Sequence, residues 1–149
     1  VNDEGYSIRW VTGEQDIRGA RAVREEVFVR EQGVPLSEEL DSLDEHAEHL
    51  VALSDLDGAV VATLRLIVGA EEGKVSRVAV ARPWRRRGIA SQMLALASVR
   101  ARARGVRRLV LAAQLEAVAL YEQAGYAVES EVFQEAGIAH VWMGLTLPA

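Results

Sequence analysis

Hydrophobic positions change their period several times along this chain, and each change predicts an element. Tyr6 to Thr12 has a short β-like pattern, and the polar Gly-Glu-Gln-Asp that follows offers Asp16 or Thr12 as a helix N-cap. Ile17, Ala20, Val23 and Val27 then recur at helical spacing until about Gln32, where Gly33 and Pro35 stop the run. The acidic stretch from Ser37 to Glu48 has no clear period and reads as a surface loop with turn and short-helix character. From His49 to Val68 two β-runs are joined by Asp-Leu-Asp-Gly, a hairpin signal because Asp-Gly tolerates positive φ. A third run, Lys74 to Val80, follows another tight turn and extends the meander.

After Pro83 the period becomes helical. Ala90, Met93, Leu94, Ala97 and Ala101 form one stripe and Gly105 ends it, which predicts a helix over Gly88 to Arg104. Arg107 to Ala113 is an almost continuous apolar strand, of the kind buried on both faces in a parallel pairing. Lys74 to Ala113 therefore reads as a strand, loop, helix and strand, the βαβ crossover. A short helix over Ala117 to Ala124 is closed by Gly125, and the tail reads as two strands around Glu-Ala-Gly. There is no internal repeat and no interdomain linker. The order predicts one mixed α/β domain built on one sheet.

Composition narrows the chemistry. At 149 residues, half of them hydrophobic and 26% charged, the chain has the make-up of a single globular domain. It has no cysteine, which excludes disulfides, thiolate metal sites and cysteine nucleophiles and fits a reducing, cytoplasmic location. Its longest apolar run falls short of the roughly 18 to 20 residues of a membrane span, and no signal peptide is visible. Charge is segregated. Lys74 to Arg108 holds eleven Lys or Arg and no acid, whereas Glu31 to Leu64 holds nine acids and no Lys or Arg. Such segregation favours an anionic ligand on one side and a cationic one on the other.

The basic segment contains Ala-Arg-Pro-Trp-Arg-Arg-Arg-Gly-Ile-Ala-Ser from Ala81 to Ser91, set between a predicted strand and a predicted helix. The first amides of a helix lack intrahelical partners and carry the positive end of its dipole, so this position suits phosphate. Gly88 allows close backbone approach, and small Ala90 and Ser91 keep the first turn open. Arg85-x-x-Gly88-x-Ala90 after Val-Ala-Val-Ala-Arg-Pro resembles the acetyl-coenzyme A signature of GNAT-type N-acetyltransferases. Gln114 to Tyr126 is similar to that superfamily's later segment through Ala117, Leu120, Tyr121, Gly125 and Tyr126, with Gln114 where Asn is commoner. Arg-Glu-Glu-Val-Phe-Val-Arg-Glu-Gln-Gly-Val-Pro near the start, Asp-Ser-Leu-Asp-Glu-His-Ala-Glu-His before the hairpin and Gly-Ile-Ala-His near the end resemble the ElaA/YjcF-type subgroup.

The resemblance implies a single GNAT-type domain over residues 1–149: a central, mostly antiparallel sheet, a parallel βαβ acetyl-coenzyme A-binding core and about four helices. It implies that the amides from Arg86 through Ile89 to Ser91 hold the coenzyme A pyrophosphate, with Arg85, Arg86 and Arg87 near its phosphates. The pantetheine arm would pair with strand backbone at Val78 and Val80, and the Val80 N–H would polarise the thioester carbonyl. Gln114 would supply a polar contact. Tyr121 would donate a proton or hydrogen bond to the leaving thiolate, a task that suits a phenol with a reference pKa of about 10; Tyr126 reads as core. The acceptor would be a primary amine of a small molecule or peptide, and homodimers are common in the superfamily.

No single residue stands out as the base that deprotonates the amine. Glu31, Asp41, Asp44, Glu48, His49 and His140 are candidates. His46 and His49 with their acidic neighbours lack zinc-ligand spacing, so no metal is expected. Trp10, Trp84 and Trp142 are too dispersed for a nucleic-acid platform, and the net charge of −5 disfavours one, so no nucleic-acid partner is expected. Two other readings are a non-catalytic domain that binds coenzyme A or nucleic acid, and a relative of acyl-homoserine lactone synthases. The second rests on Arg-Glu-Glu-Val-Phe-Val-Arg-Glu-Gln-Gly, Glu-Leu-Asp-Ser-Leu-Asp and Val-Ser-Arg-Val-Ala-Val.

Overall fold

The computed structural model describes residues 5–148. The chain enters through strand β1 (Tyr6–Trp10) and helix α1 (Glu14–Arg24), whose winding widens to a π-helix over Glu25–Glu31. A short helix α2 (Leu36–Glu39) and a 3-10 turn (Asp44–His46) lead to the meander β2 (Glu48–Ser54), β3 (Val60–Val68) and β4 (Glu72–Val80). Then come α3 (Ile89–Ala103), β5 (Arg108–Gln114), α4 (Val118–Gln123), β6 (Ala127–Val128), β7 (Phe133–Glu135) and β8 (Ile138–Thr146). The strands form one sheet in the order β1-β2-β3-β4-β5-β8-β6, with β7 paired to β8. All pairings are antiparallel except β4 with β5. The mixed α/β fold expected from the sequence, with four helices and one parallel crossover, is the fold found.

The main core lies between the sheet and α3. That helix buries Ile89, Met93, Leu94, Ala97 and Ala101, and each of its larger apolar side chains contributes about 1.5–3 kcal/mol. A smaller cluster of Val23, Val27 and Ala79, with Phe28 and Val60, seats α1. Ala79, paired with Thr63, belongs to this cluster and the adjacent Ala62 to the main core, so α1 and α3 cover opposite faces of the sheet.

Four local expectations are corrected. The cap of α1 is Gly13 with no side-chain bond; Asp16 lies inside the helix, buried, and accepts a 2.9 Å bond from Arg9. The helical run to Gln32 is two windings, and the wider second one places Val27 in the small core and carries Phe28, Glu31 and Gln32 to a cleft. β5 is fully buried on one face only, at Leu109, Leu111 and Ala113, while Ala112 and Gln114 on the other face line a cleft. The acidic stretch is not merely a solvated loop. Glu39 and Asp44 are buried and, with partly exposed Asp41, neutralise three arginines.

Those three arginines are Arg24, Arg65 and Arg77. Arg24, 1% exposed, donates to Glu39 at 3.0 Å and to Asp44 at 2.9 Å. Arg65, 2% exposed, donates to Asp41 at 2.7 Å and to Asp44 at 3.1 Å. Arg77 donates to Glu39 at 2.7 Å and to Asp41 at 3.1 Å. These three arginines and three carboxylates, with half-exposed Arg21 adding a 3.4 Å bond to Asp44, form a cluster that ties α1, α2 and the acidic loop to β3 and β4. Burial alone would raise the Asp44 carboxyl, but the bonds from Arg24 and Arg65 prevail and hold it at about 2.

A carboxylate whose folded pKa lies below its unfolded 3.8 contributes stability above that value and loses it as pH falls toward about 2. Thermal melts followed by circular dichroism should therefore show a falling midpoint across that window. Asp44→Asn should flatten the decline and, by leaving two buried guanidinium groups short of charge, destabilise the protein by about 3–5 kcal/mol.

Candidate active site

β4 and β5 meet only briefly. Their parallel register covers Glu72↔Arg108, Gly73↔Leu109 and Lys74↔Val110, after which β4 runs to Val80 and β5 to Gln114 without further pairing. The departure coincides with a bulge in β4: Arg65 pairs with Ser76 and Thr63 with Ala79, so β4 spends one extra residue there. Arg77 at the bulge has φ 53°, a left-handed conformation that its bonds to Glu39 and Asp41 hold in place. A cleft of about 1100 Å3 opens where the strands part.

The backbone of β4 faces this gap at a defined point. Ala81 N–H donates to Val61 O at 2.8 Å, so Val80, opposite Ala62, is the non-bonded position and turns its N–H and C=O away from β3. Its carbonyl accepts from Arg85 Nε at 2.8 Å. Beyond Val80 a 3-10 turn (Arg82–Trp84) leads into the loop before α3. Gly88 caps that helix with φ 80°, and a Cβ there would meet no protein atom within 4 Å. A larger side chain would have to adopt a left-handed backbone and would project into open space beside the first free amides of α3.

The three arginines of the loop differ. Arg85 is bidentate on Glu31 at 2.7 and 3.0 Å, which lowers the Glu31 pKa. Arg87 lies over the Trp84 ring at 4.6 Å and does not line the cleft, because that aromatic face and the Pro83 carbonyl hold it. Arg86 is exposed, lines the cleft and has no acidic partner among the described residues. Val78, Val80, Gly88, Ile89, Ala90 and Ser91 line the same cleft. So does Gln114, which donates to Gln32 at 2.8 Å and joins the π-helix to the end of β5.

Tyr121, on α4, is 8% exposed, lines the cleft and has no hydrogen-bond partner among the described residues. Burial pushes its phenol up to about 12. Tyr126 meets it edge to face at 6.1 Å between centroids, and its own hydroxyl is buried without a partner. Burial, with Tyr121 nearby, raises the Tyr126 phenol as well.

The base candidates separate by place. Glu31, Asp41 and His140 line the cleft, whereas Asp44, Glu48 and His49 do not. Glu48 is held by Arg104 and Arg100, with Arg104 at 2.8 Å, and His49 Nε2 lies 3.0 Å from the Asp44 carbonyl oxygen. His140 Nδ1 lies 2.7 Å from Ile138 O, and its ring stacks on Phe133. Phe28, Gln32, Lys74, Ser76 and Glu135 also line the cleft and were not singled out from the sequence. Only Lys74 left a signal there: it is the sole lysine of the chain. Among the described residues no helix is long and apolar enough to cross a membrane, and no group of His, Cys, Asp and Glu is arranged to hold a metal.

Parted parallel strands, a glycine-capped loop before α3 and a buried tyrosine thus meet on one cleft. Residues 13–147 match the family model described as an acetyltransferase (GNAT) domain, and the chain belongs to that family. It is 36% identical over 131 residues to the N-acetyltransferase YjcF of Bacillus subtilis, itself uncharacterised, covering 87% of this chain and 92% of that one. An acyl-CoA N-acyltransferase from Pseudomonas aeruginosa superposes with a TM-score of 0.80 at 28% identity, over 93% of this chain and 99% of that one. A GNAT family acetyltransferase from Elizabethkingia anophelis, solved with acetyl-CoA bound, shares the fold with a TM-score of 0.75 at 18% identity, over 98% and 100% of the two chains.

Because Arg85 is engaged by Glu31, the two side chains should behave as one unit. A double-mutant cycle of Arg85→Ala and Glu31→Ala, read by thermal melting, should give a coupling of about 0.5–1 kcal/mol.

Proposed function

We propose that this protein moves an acetyl group from acetyl-CoA to the primary amine of a small molecule or peptide, by direct attack of the amine on the thioester. The observation that carries this reading is the parting of β4 from β5, which leaves Val80 facing a gap between a glycine-capped helix start and a buried phenol. These parts fit the cosubstrate. The free amides from Gly88 to Ser91 would take the pyrophosphate, with Arg86 as the loop arginine available to it. Val78 and Val80 would pair with the pantetheine amides as a strand edge does.

Bound acetyl-CoA supplies the activated acyl group and a thiolate leaving group. The chain's own work is positioning and charge stabilisation. Val80 N–H would donate to the carbonyl oxygen on which negative charge builds. Tyr121 would donate from its hydroxyl to the departing sulfur. Its phenol stays protonated across the neutral range because burial raises it to about 12. Arg85 and Arg87 have support roles, fixing Glu31 and Trp84, and the backbone does the holding.

Calorimetry should show acetyl-CoA binding to the folded protein, with binding lost in Gly88→Trp. Tyr121→Phe should lower kcat by about a hundredfold or more while leaving acetyl-CoA affinity intact. Absence of binding to the wild type would sink the reading. Unchanged turnover in Tyr121→Phe would remove the tyrosine from it.

A further inference from the structure

The acidic segment first suggested a cationic acceptor, but most of its cleft carboxylates are already spent. Glu31 is taken by Arg85, while Glu39 and Asp41 are taken by Arg24, Arg65 and Arg77. Glu38, Glu116 and Glu135 line the cleft outside any arginine pair, and all three are exposed. Of the cations lining the cleft, Arg65, Arg77 and Arg85 are paired with acids; Arg86 and Lys74 are not.

Arg86 stands at the loop. Lys74 stands at the other end of β4, opposite Ile67 where Val80 is opposite Ala62, so roughly 17 Å separates the two along the sheet. It is half-buried, and its ammonium lies 5.3 Å from the centroid of Trp142 with no carboxylate at ion-pair distance among the described residues. A half-buried cation without a counter-ion attracts an anion more strongly than a fully solvated one. Two residues on, Ser76 lies on the same face of the strand, about 7 Å away at the backbone. Ser76 Oγ accepts from Arg65 Nε at 3.0 Å, so a lone pair of that oxygen is engaged and its proton is left to donate. An ammonium and a hydroxyl donor thus face the cleft side by side, at the end remote from the phosphate loop.

We propose that Lys74 and Ser76 seat a carboxylate of the acceptor, so that the acceptor is an amine bearing a carboxylate, an amino acid in chemical class. This rests on the acetyltransferase reading above. Trp142 supports the Lys74 ammonium from below, and Arg65 fixes the Ser76 hydroxyl. Exposed Glu135, 3.9 Å from His140 Nε2, lines the same cleft and can meet the acceptor's ammonium before it loses its proton.

The test uses the standard amino acids, each beside its carboxamide and its decarboxylated amine, with acetyl-CoA and detection of released thiol. Wild-type kcat/KM should favour the acid, and Lys74→Met should shrink that preference about ten- to a hundredfold, chiefly through the acceptor KM. Lys74→Glu should reverse it. A wild type that prefers the decarboxylated amine, or a Lys74→Met effect equal for all three members, would overturn the proposal. Acetyl label recovered on Lys74 itself would overturn it too, making the lysine an acceptor and not a seat.

A second measurement does not need turnover. Because Lys74 is the sole lysine, selective 13C-lysine labelling gives the side chain an unambiguous resonance. That resonance should shift saturably with an amino acid and not with its carboxamide; no shift with any of the amino acids refutes the seat. Acetyl-CoA failing to bind while the resonance responds would refute the acetyltransferase reading alone.

Discussion

β4 and β5 separate after the pair Lys74↔Val110, and the rest of the site depends on that separation. Two parallel strands that stayed paired to their ends would satisfy their own backbone groups and leave no edge for a ligand. Here the bulge at Arg77 turns β4 away, and the chain pays for the left-handed residue with three bonds from its guanidinium to Glu39 and Asp41. The buried cluster of Arg24, Arg65, Glu39 and Asp44 stands directly behind those bonds. The charged residues of α2 and the acidic loop therefore reach the chemistry through shape: they keep a strand bent.

The same cluster changes the meaning of the charge pattern. Along the chain the acids and bases are separated into blocks, which invites a picture of one positive and one negative surface. In the fold the blocks are laid against each other. Glu31 meets Arg85 and Arg82, Glu48 meets Arg100 and Arg104, and Arg108 meets Glu72 and Glu129. What remains in the cleft is the residue of this cancellation: Arg86 at one end, Lys74 at the other, and the exposed Glu38, Glu116 and Glu135. A cleft with a cation at each end suits a phosphate-bearing donor and a carboxylate-bearing acceptor that meet between them.

Much of this was legible from local pattern. Period and turn residues fixed the β-α start, the meander, the βαβ unit with its helix over Ile89–Ala103, and the short helix that carries Tyr121, because each depends on spacing within a few neighbouring residues. The loop before α3 was legible for the same reason, as a contiguous run from Val80 to Ser91 with a glycine ahead of a helix, but its left-handed turns at Arg86 and Gly88 were not, since a residue ahead of a helix is ordinarily extended. Tyr121 was recognisable only through the motif it shares with a family, since its spacing alone favours a core residue.

Side-chain partners were not legible, because they join residues far apart in sequence. Arg85 and Glu31 are 54 positions apart, and Arg77 and Glu39 are 38 apart. No local pattern distinguishes an arginine that will meet a carboxylate from one that will meet a ligand. The sequence by itself determined the elements, their order and the place of the glycine loop before α3, all short-range consequences of hydrophobic period and glycine placement. Only the tertiary structure decided where the strands part, which charges cancel and which remain facing the cleft, because those outcomes depend on distances that folding alone creates.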